Sequence, residues 1–307
     1  MKAIDFHLHP LPMLPDRLLT DEVEAACLEK CVLLAMDVDP GALEEPWIRY
    51  RMASTLFDEG FWDLYGLDHA RLLLQLGRTP NTRVAELVAE RPDVFVGVGS
   101  VNPSRGLAYV EEKLAEVREL GLSGVKIIPT LQFLDPERHG EELEAIFDFC
   151  SKEKLVLILH TGCDPGPWEL PALSANARPS LYGDLIGRYP DVPVVLAHAG
   201  SYSLRQPGIW LDEALALCRE NDNVWLDLAA VTYLAVEERF VVKIRNSVGF
   251  DRFLFGSDWP TVQGVSVKDA IGRVEASRAL GEHEKEAILR GNARELLSRI
   301  RVPANSG

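Results

Sequence analysis

Two histidines one residue apart, His7 and His9, lie near the beginning of the chain in the sequence Ala-Ile-Asp-Phe-His-Leu-His-Pro. The apolar residues around them predict a β-strand, in which alternate side chains point to the same face of the sheet. The two imidazoles should therefore project together, while Phe6 and Leu8 face the other way. Neutral imidazole is a common ligand of divalent transition metals, so this pair is a candidate for part of a metal site.

Three further residues of metal-ligand type stand at or just after the end of a short apolar run, and a glycine or proline turn follows each of them: His160, His198 and Asp258. Such runs are typical of buried parallel strands. In a (β/α)8 barrel the carboxyl ends of the strands carry the chemistry. The pattern predicts that one site brings these three side chains together with the two N-terminal histidines.

The elements that must position these residues alternate along the whole chain. Eight apolar runs predict strands at 3–7, 32–36, 94–98, 124–128, 155–159, 192–197, 223–228 and 252–256. Stretches with helical periodicity separate them, most clearly between 105 and 120. We therefore predict one α/β domain over residues 1–307, a single (β/α)8 TIM barrel. An open doubly wound sheet would separate its first and last strands, which both carry candidate ligands.

Residues 39–80 interrupt the alternation between the second and third strands. The segment is rich in aromatic side chains, including Trp47, Tyr50, Phe61 and Trp62. A long connection at the catalytic end of a barrel is usually functional, so we predict an insertion that caps the active-site end. The alternative is that it packs on the barrel rim or on a partner subunit, which would make the protein a homodimer.

The composition limits the classes of partner. A formal net charge of −15 argues against binding to nucleic acid or to anionic membranes, and no apolar run is long enough to span a membrane. The five cysteines are scattered, as is typical of a reducing compartment. With no signal peptide visible, we expect a cytoplasmic protein that acts on a small molecule. Gly97-Val98-Gly99 lacks the context of a dinucleotide fingerprint, so we expect no organic cofactor.

The candidate residues lie in a series of short motifs: Asp5-Phe6-His7-Leu8-His9, Gly124-Val125-Lys126-Ile127, His160-Thr161-Gly162, Ala197-His198-Ala199-Gly200, Gly256-Ser257-Asp258-Trp259-Pro260 and Gly291-Asn292-Ala293-Arg294. In this order they resemble the amidohydrolase superfamily, specifically its amidohydrolase-2 group of metal-dependent barrel hydrolases and decarboxylases. The resemblance runs from the first predicted strand to the last predicted helix. It is a poor guide to the substrate, because loop residues decide that.

The resemblance implies one divalent metal, commonly zinc, on a set of four ligands: His7, His9, His160 and Asp258. It also implies that Asp258 accepts a proton from a metal-bound water and that His198 hydrogen-bonds this water or the developing oxyanion. These two are therefore the expected catalytic residues. Binuclear relatives carry a carbamylated lysine on the fourth strand, and a second metal would then be held by Lys126 and His198. Manganese in place of zinc is a further alternative.

Three side chains are candidates for contact with the substrate. Lys126 lies inside an apolar run, where an unpaired ammonium is costly; it is a cation for a substrate carboxylate, a carbamylated bridge or part of a structural ion pair. Trp168, in the irregular stretch 164–177, is predicted to line the substrate pocket. Arg178 either holds a substrate carboxylate or has a structural role.

The leading functional hypothesis is metal-dependent hydrolysis of a small-molecule amide, lactone or ester by metal-activated water. The alternative is non-oxidative decarboxylation of an aromatic or unsaturated carboxylic acid, which relatives perform with much the same ligands. The motifs around His160 and His198 look more like those of the hydrolases, which is an argument from resemblance. A barrel that has lost catalysis is a third interpretation, and the intact set of candidate ligands speaks against it.

Overall fold

The computed structural model describes residues 2–58, 65–164 and 168–302, so that the predicted cap residues Phe61 and Trp62 lie outside the described part. Parallel strands form one sheet in the order of the sequence: β1 (Ile4–Leu8), β2 (Lys30–Leu34), β3 (Phe95–Ser100), β4 (Gly124–Ile127), β5 (Val156–Gly162), β6 (Val194–Tyr202), β7 (Val224–Asp227) and β8 (Phe253–Leu254). Each of the eight predicted runs overlaps one of these strands.

Helices separate the strands: α1 (Asp16–Ala25), α2 (Pro46–Asp58), α3 (Tyr65–Gly77), α4 (Asn81–Glu90), α5 (Leu107–Glu119), α6 (Gly140–Glu153), α7 (Gly183–Arg188), α8 (Leu211–Glu220), α9 (Glu238–Ser247), α10 (Val267–Glu275), α11 (Glu282–Glu286) and α12 (Asn292–Arg299). The apolar stripe predicted between 105 and 120 is buried in α5 through Val110, Leu114 and Val117. Among the described residues, no helix is both long and apolar enough to cross a bilayer.

The sheet curls until its first and last strands meet. Phe6 N donates a hydrogen bond to the carbonyl oxygen of Phe255 at 2.9 Å, and Asp258 N donates to the carbonyl oxygen of His7 at 2.8 Å. The predicted TIM barrel is therefore confirmed. Because the ends of the sheet meet, two residues 251 positions apart, His7 and Asp258, become neighbours.

Two layers of apolar side chains hold the barrel together. The inner layer contains alternate strand residues and side chains of α12: Ile4, Phe6, Val32, Leu34, Val96, Val98, Val156, Ile158, Val195, Ala197, Trp225, Leu254, Ala293, Leu296 and Ile300. The outer layer joins the other strand residues to the surrounding helices. Just beyond α12, Arg301 N donates to the carbonyl oxygen of Lys154, two residues before β5. The helix therefore covers the amino ends of the strands and leaves the carboxyl ends for the site.

The expected orientation of Phe6 is wrong. The register between β1 and β2 shifts between Asp5 and Leu8, so the regular alternation of side chains breaks at this point. Phe6 packs in the inner layer and Leu8 in the outer layer. Irregularities of this kind redirect side chains near the end of a strand, and the sequence pattern of alternate residues cannot reveal them.

The segment 39–80 leaves the barrel after β2 and contains α2 and α3. Its two ends are tied together, because Met36 and Thr79 exchange two backbone hydrogen bonds, at 2.9 and 3.0 Å. Apolar side chains of the segment, including Met52, pack with Trp168 in the connection after β5. Part of the segment therefore lies on the β5 side of the barrel.

Candidate metal centre and active site

The predicted ligand and catalytic side chains are buried at the carboxyl ends of four strands: His7 in β1, His9 just after it, His160 in β5, His198 in β6 and Asp258 after β8. The backbone at His198 and Asp258 has φ values of 62° and 58°, in the left-handed region that residues other than glycine rarely adopt. Gly200, with φ of 69°, lies inside β6, where a Cβ would lie 2.6 Å from the carbonyl oxygen of Trp210. Backbone outliers of this kind often occur at functional sites.

His7, His9 and Asp258 direct three ligand atoms toward one point. The two Nε2 atoms are 3.2 Å apart, and each lies 3.4 Å from Asp258 Oδ1. Nitrogen atoms bound at about 2.0–2.1 Å to a tetrahedral ion are about 3.3 Å from one another. The spacing of these three residues therefore suits a divalent metal.

His198 belongs to the same cluster, since ligand atoms of His7, His198 and Asp258 all lie within 4.8 Å of one another. His198 Nδ1 donates to the carbonyl oxygen of Ala229 at 2.8 Å. Because a carbonyl can only accept, the proton is on Nδ1 and Nε2 carries a lone pair. Burial lowers the pKa of His198 to about 4. The ring is therefore neutral at neutral pH, and its Nε2 can serve as a base or as a ligand.

Asp227, the last residue of β7, is fully buried between two of these histidines. Its Oδ2 lies 2.8 Å from His7 Nδ1, and its Oδ1 accepts from His198 N at 2.7 Å and from Ala229 N at 3.0 Å. Burial opposes ionisation, but the adjacent His7 holds the pKa of Asp227 at about 2. The sequence analysis missed this carboxylate. A polar residue at the end of the predicted strand 223–228 was the available signal.

The β5 side of the site is less completely hydrogen-bonded. His160 Nδ1 lies 3.1 Å from His198 Nε2, and His160 Nε2 lies 3.2 Å from Asp164 Oδ1. This second contact lacks hydrogen-bond geometry, so His160 Nε2 has no hydrogen-bond partner among the described residues, and the other oxygen of Asp164, Oδ2, has none either. Burial raises the pKa of Asp164 to about 7. Sequence reasoning missed Asp164, which lies in a non-periodic stretch after β5.

Lys126 in β4 is fully buried at the edge of the cluster. Its Nζ lies 3.4 Å from His7 Nε2. Burial lowers the pKa of Lys126 to about 8, and the carboxylates of Asp227, Asp258 and Asp164 oppose that shift. A cation therefore lies beside the cluster at neutral pH, and the choice among the three roles predicted for this lysine stays a prediction.

Tyr202, the last residue of β6, is a further site residue that the sequence analysis missed. Its ring stacks on the ring of His198, with centroids 4.3 Å apart and planes 24° from parallel. Burial raises the pKa of Tyr202, and the nearby carboxylates of Asp258 and Asp164 raise it further. Close to this ring, Thr261 Oγ1 donates to Asp258 Oδ2 at 2.5 Å. The side chain lies four residues after His198, in a stretch that the sequence predicted as a turn rather than as strand.

The donor set fits the predicted divalent metal. Imidazole nitrogens with a carboxylate oxygen are ligands that zinc and other divalent transition metals accept. Two buried ring nitrogens, His9 Nδ1 and His160 Nε2, have no hydrogen-bond partner within the described ranges, so they have capacity left for another contact. The choice of His160 as the remaining ligand and of His198 as the acid/base residue stays a prediction.

Trp168 is buried under the segment 39–80. Its ring contacts that of Phe133, with centroids 5.9 Å apart, and it lines a small cavity together with Arg51 and Thr130. This position is on the same side of the barrel as His160. Its predicted contact with a substrate stays a prediction.

Arg178 lies in a different environment from the other predicted residues. Its guanidinium is about half-exposed and hydrogen-bonds Glu213 of α8, with Nε 3.1 Å from Oε1. The same carboxylate accepts from Ser180 Oγ at 2.7 Å. The structure therefore gives Arg178 a partner outside the cluster, which corresponds to the structural alternative predicted for it.

The chain belongs to the amidohydrolase family, whose family model matches residues 4–299. Among curated proteins, the 2-amino-3-carboxymuconate-6-semialdehyde decarboxylase of Dictyostelium discoideum is 25% identical over 249 residues, which cover 73% of this chain and 67% of that protein. The resemblance stated from the motifs is thereby confirmed. With it, the chain is assigned to a family of metal-dependent enzymes.

Two solved structures illustrate the reactions found on this fold. A 2,6-dihydroxybenzoate decarboxylase in complex with 2,6-dihydroxybenzoate matches with a TM-score of 0.60 and 17% identity, covering 97% of this chain and 98% of that one. A probable 2-pyrone-4,6-dicarboxylic acid hydrolase from Acinetobacter baumannii matches with a TM-score of 0.58 and 16% identity, covering 97% and 100%. At these identities the matches establish a shared fold.

Proposed function

We propose that this protein is a metal-dependent, non-oxidative decarboxylase of an aromatic or unsaturated carboxylic acid. The observation that carries the proposal is Lys126, a fully buried cation whose Nζ is 3.4 Å from His7 Nε2. Hydrogen bonds between an ammonium and a carboxylate are roughly twice as strong as those between neutral groups, and the folded protein already holds this ammonium out of water. The curated relative, a decarboxylase of a carboxylated unsaturated compound, supports this choice over the hydrolysis that the motifs favoured.

The reaction replaces a carboxylate by hydrogen. The bond between the carboxylate and the ring or alkene carbon breaks, and its electron pair stays on that carbon. The carbon then takes up one proton, so that one carboxylate and one proton give one carbon–hydrogen bond and one molecule of carbon dioxide. The protein must therefore bind the carboxylate anion and stabilise the negative charge that develops on the substrate when the bond breaks. It must also deliver one proton to the carbon that lost the carboxylate.

We assign the proton transfer to the two residues predicted from the sequence, Asp258 and His198. His198 Nε2 carries a lone pair that faces the cluster, because Nδ1 is fixed on Ala229. The neighbouring histidines, among them His9 with Nε2 3.4 Å from Asp258 Oδ1, overcome the effect of burial and keep the pKa of Asp258 below the usual range. Both residues thus start as bases that can take a proton from a substrate hydroxyl or water and return it to the carbon.

The metal would be held by His7, His9 and Asp258, with His160 as the further predicted ligand. When bound, it supplies a Lewis acid for a substrate oxygen next to the departing carboxylate. Tyr202 stacks on His198 and supports the orientation of that ring. Trp168 and the segment 39–80 would cover an aromatic or unsaturated substrate from the β5 side. A homodimer formed through that segment is also part of the proposal.

The test uses metal-loaded protein and two substrate panels. One contains hydroxybenzoates and unsaturated dicarboxylic acids, and the other contains lactones, esters and amides of similar size. Release of carbon dioxide is measured directly, and the same reactions are run in deuterium oxide. We expect carbon dioxide from the first panel, with one deuterium at the carbon that lost the carboxylate.

Hydrolysis is the second candidate function. The neutral His198 Nε2 is a suitable base for it, and a hydrolase is among the proteins that share this fold. If a lactone, ester or amide is hydrolysed and the acids release no carbon dioxide, the decarboxylase proposal is overturned and hydrolysis becomes the supported function. Turnover of neither panel by fully metal-loaded protein would contradict both.

A further inference from the structure

One carboxylate, that of Asp227, touches both a ring nitrogen of one site histidine and the backbone of another. Its Oδ2 lies 2.8 Å from His7 Nδ1. Its Oδ1 accepts from His198 N at 2.7 Å and from Ala229 N at 3.0 Å. Both oxygens are therefore engaged, and Asp227 is fully buried. The contacts join three strands, β1, β6 and β7, at the level of the metal cluster.

We propose that Asp227 is the positioning residue of the metal centre, and that it sets which nitrogen of His7 faces the metal. An ionised carboxylate can only accept hydrogen bonds, so the contact to His7 places the proton on Nδ1. His7 Nε2 is then left as a lone pair. That atom is the one that lies 3.2 Å from His9 Nε2 and 3.4 Å from Asp258 Oδ1.

The same residue acts on His198 through the backbone. The hydrogen bonds from His198 N and Ala229 N hold two segments in register at the point where His198 has its left-handed φ of 62°. The carbonyl oxygen of Ala229 in turn accepts from His198 Nδ1. Asp227 therefore directly fixes the tautomer of one histidine and indirectly supports the group that fixes the other.

Asp5 provides a matched comparison for this role. It is also fully buried, and its Oδ1 accepts two backbone hydrogen bonds, from His7 N and from Ser257 N, both at 3.0 Å. Its described contacts include no imidazole nitrogen. A change of Asp5 to asparagine therefore alters a buried carboxylate next to the same histidine without acting on the ring.

The decisive variant is Asp227→Asn. Asparagine keeps one oxygen for the backbone donors of His198 and Ala229, but it presents an amide that donates toward His7 Nδ1. The proton of His7 should then move to Nε2, which removes the lone pair facing the cluster. Partners that orient a metal-binding histidine are typically worth about 10–100-fold in metal affinity. We expect a loss of this size for Asp227→Asn and a loss of less than about 3-fold for Asp5→Asn, which leaves that orienting contact in place.

Two readouts test this without reference to catalysis. The first is the dissociation constant for zinc and for manganese, measured by competition with a chelator on the purified full chain. The second is nitrogen-15 NMR of labelled histidine in the metal-free protein, with the His7 signals assigned by their absence from His7→Gln. We expect wild-type His7 to carry its proton on Nδ1 and Asp227→Asn to carry it on Nε2.

The proposal is overturned if wild-type His7 carries its proton on Nε2, a result that requires no variant to fold. It is also overturned if Asp227→Asn and Asp5→Asn weaken metal binding equally. The inference rests on the metal centre of the proposed function and not on the reaction performed there. If the substrate panels fail while these two measurements succeed, the decarboxylase proposal falls and the role of Asp227 stands.

Discussion

The two sides of the site differ in how their histidines are held. On the side formed by β1, β6 and β7, His7 Nδ1 is fixed by Asp227 and His198 Nδ1 by the carbonyl oxygen of Ala229. On the β5 side, His160 Nε2 and Asp164 Oδ2 lack hydrogen-bond partners within the described residues. The protein itself thus holds the ring protons of His7 and His198, although His9 Nδ1 on the same side also has no hydrogen-bond partner among the described residues. On the β5 side, His160 Nε2 stays available for another contact.

This difference indicates a division of labour. Buried polar groups without partners cost about 1–3 kcal/mol each, so they are retained where binding or chemistry uses them. The β5 side is also where Trp168 and the segment 39–80 lie. We infer that the side formed by β1, β6 and β7 orients the ring nitrogens of His7 and His198, while the β5 side contributes the further predicted ligand His160 and receives the substrate. The following predictions test that division, from the largest expected effect to the smallest.

Replacing His7 by alanine should have the largest effect. It removes one of three ligand atoms that lie 3.2–3.4 Å apart. We expect metal affinity to fall by more than the about 10–100-fold typical of an outer partner, and turnover to be lost with it. Elemental analysis after dialysis measures the metal per chain. His283→Ala, at an exposed position of α11, is the control and should keep its metal. Full metal content in His7→Ala would show that His7 is not a metal ligand.

Replacing Lys126 by methionine keeps the length of the side chain and removes its charge. A hydrogen bond to a charged group is worth about 1.5–3 kcal/mol, so we expect kcat/KM for a carboxylate substrate to fall by about 10–100-fold. The metal content should not change. Loss of one of two metals per chain would instead identify Lys126 as a carbamylated bridge. Lys152→Met, at an exposed position of α6, is the control for the change of charge.

A pair of leucine variants compares the stability of the two sides in metal-free protein. His198→Leu leaves the Ala229 carbonyl oxygen without its donor, which should cost about 1–3 kcal/mol. His160→Leu removes Nε2, which had no partner among the described residues, and Nδ1, whose contact with His198 Nε2 is lost in both variants. Its effect on the free energy of unfolding should therefore be smaller. Denaturant unfolding with both variants and wild type measures the difference. Equal losses for the two variants would show that the two sides are not held differently.

Replacing Arg178 by alanine should have the smallest effect. Its ion pair with Glu213 is largely at the surface, and such pairs contribute less than about 1 kcal/mol. We expect unchanged kcat and KM and a small decrease in the thermal midpoint, measured by steady-state kinetics and calorimetry. A large increase in KM with unchanged kcat would instead indicate that Arg178 contacts the substrate.

Much of the fold could be predicted from the sequence because its signals are local. Short apolar runs ending in a polar residue correspond to β1, β5, β6 and β8, and a stripe at helical spacing corresponds to α5. The metal-ligand candidates could be found in the same way, since each lies at the end of such a run. The family followed from the motifs, and the match over residues 4–299 agrees with it.

The roles of other site residues cannot be predicted from local sequence, even where, as at Asp227, a polar residue near the end of a predicted strand marks the position. Asp227 and Tyr202 gain their roles from contacts with His7 and His198, which depend on how strands meet around the barrel. The inward position of Phe6 depends on a register shift in β1. The ion pair of Arg178 depends on where α8 packs.

The sequence by itself determined the barrel, the ligand types and their order along the chain, because periodicity and residue chemistry are properties of neighbours. Only the tertiary structure decided which ring nitrogen of His7 and His198 faces the cluster, and which buried polar atoms of the site have no hydrogen-bond partner among the described residues. The physical reason is distance along the chain. His7 and Asp227 are 220 residues apart, and the closed sheet alone brings that carboxylate against the imidazole whose proton it holds.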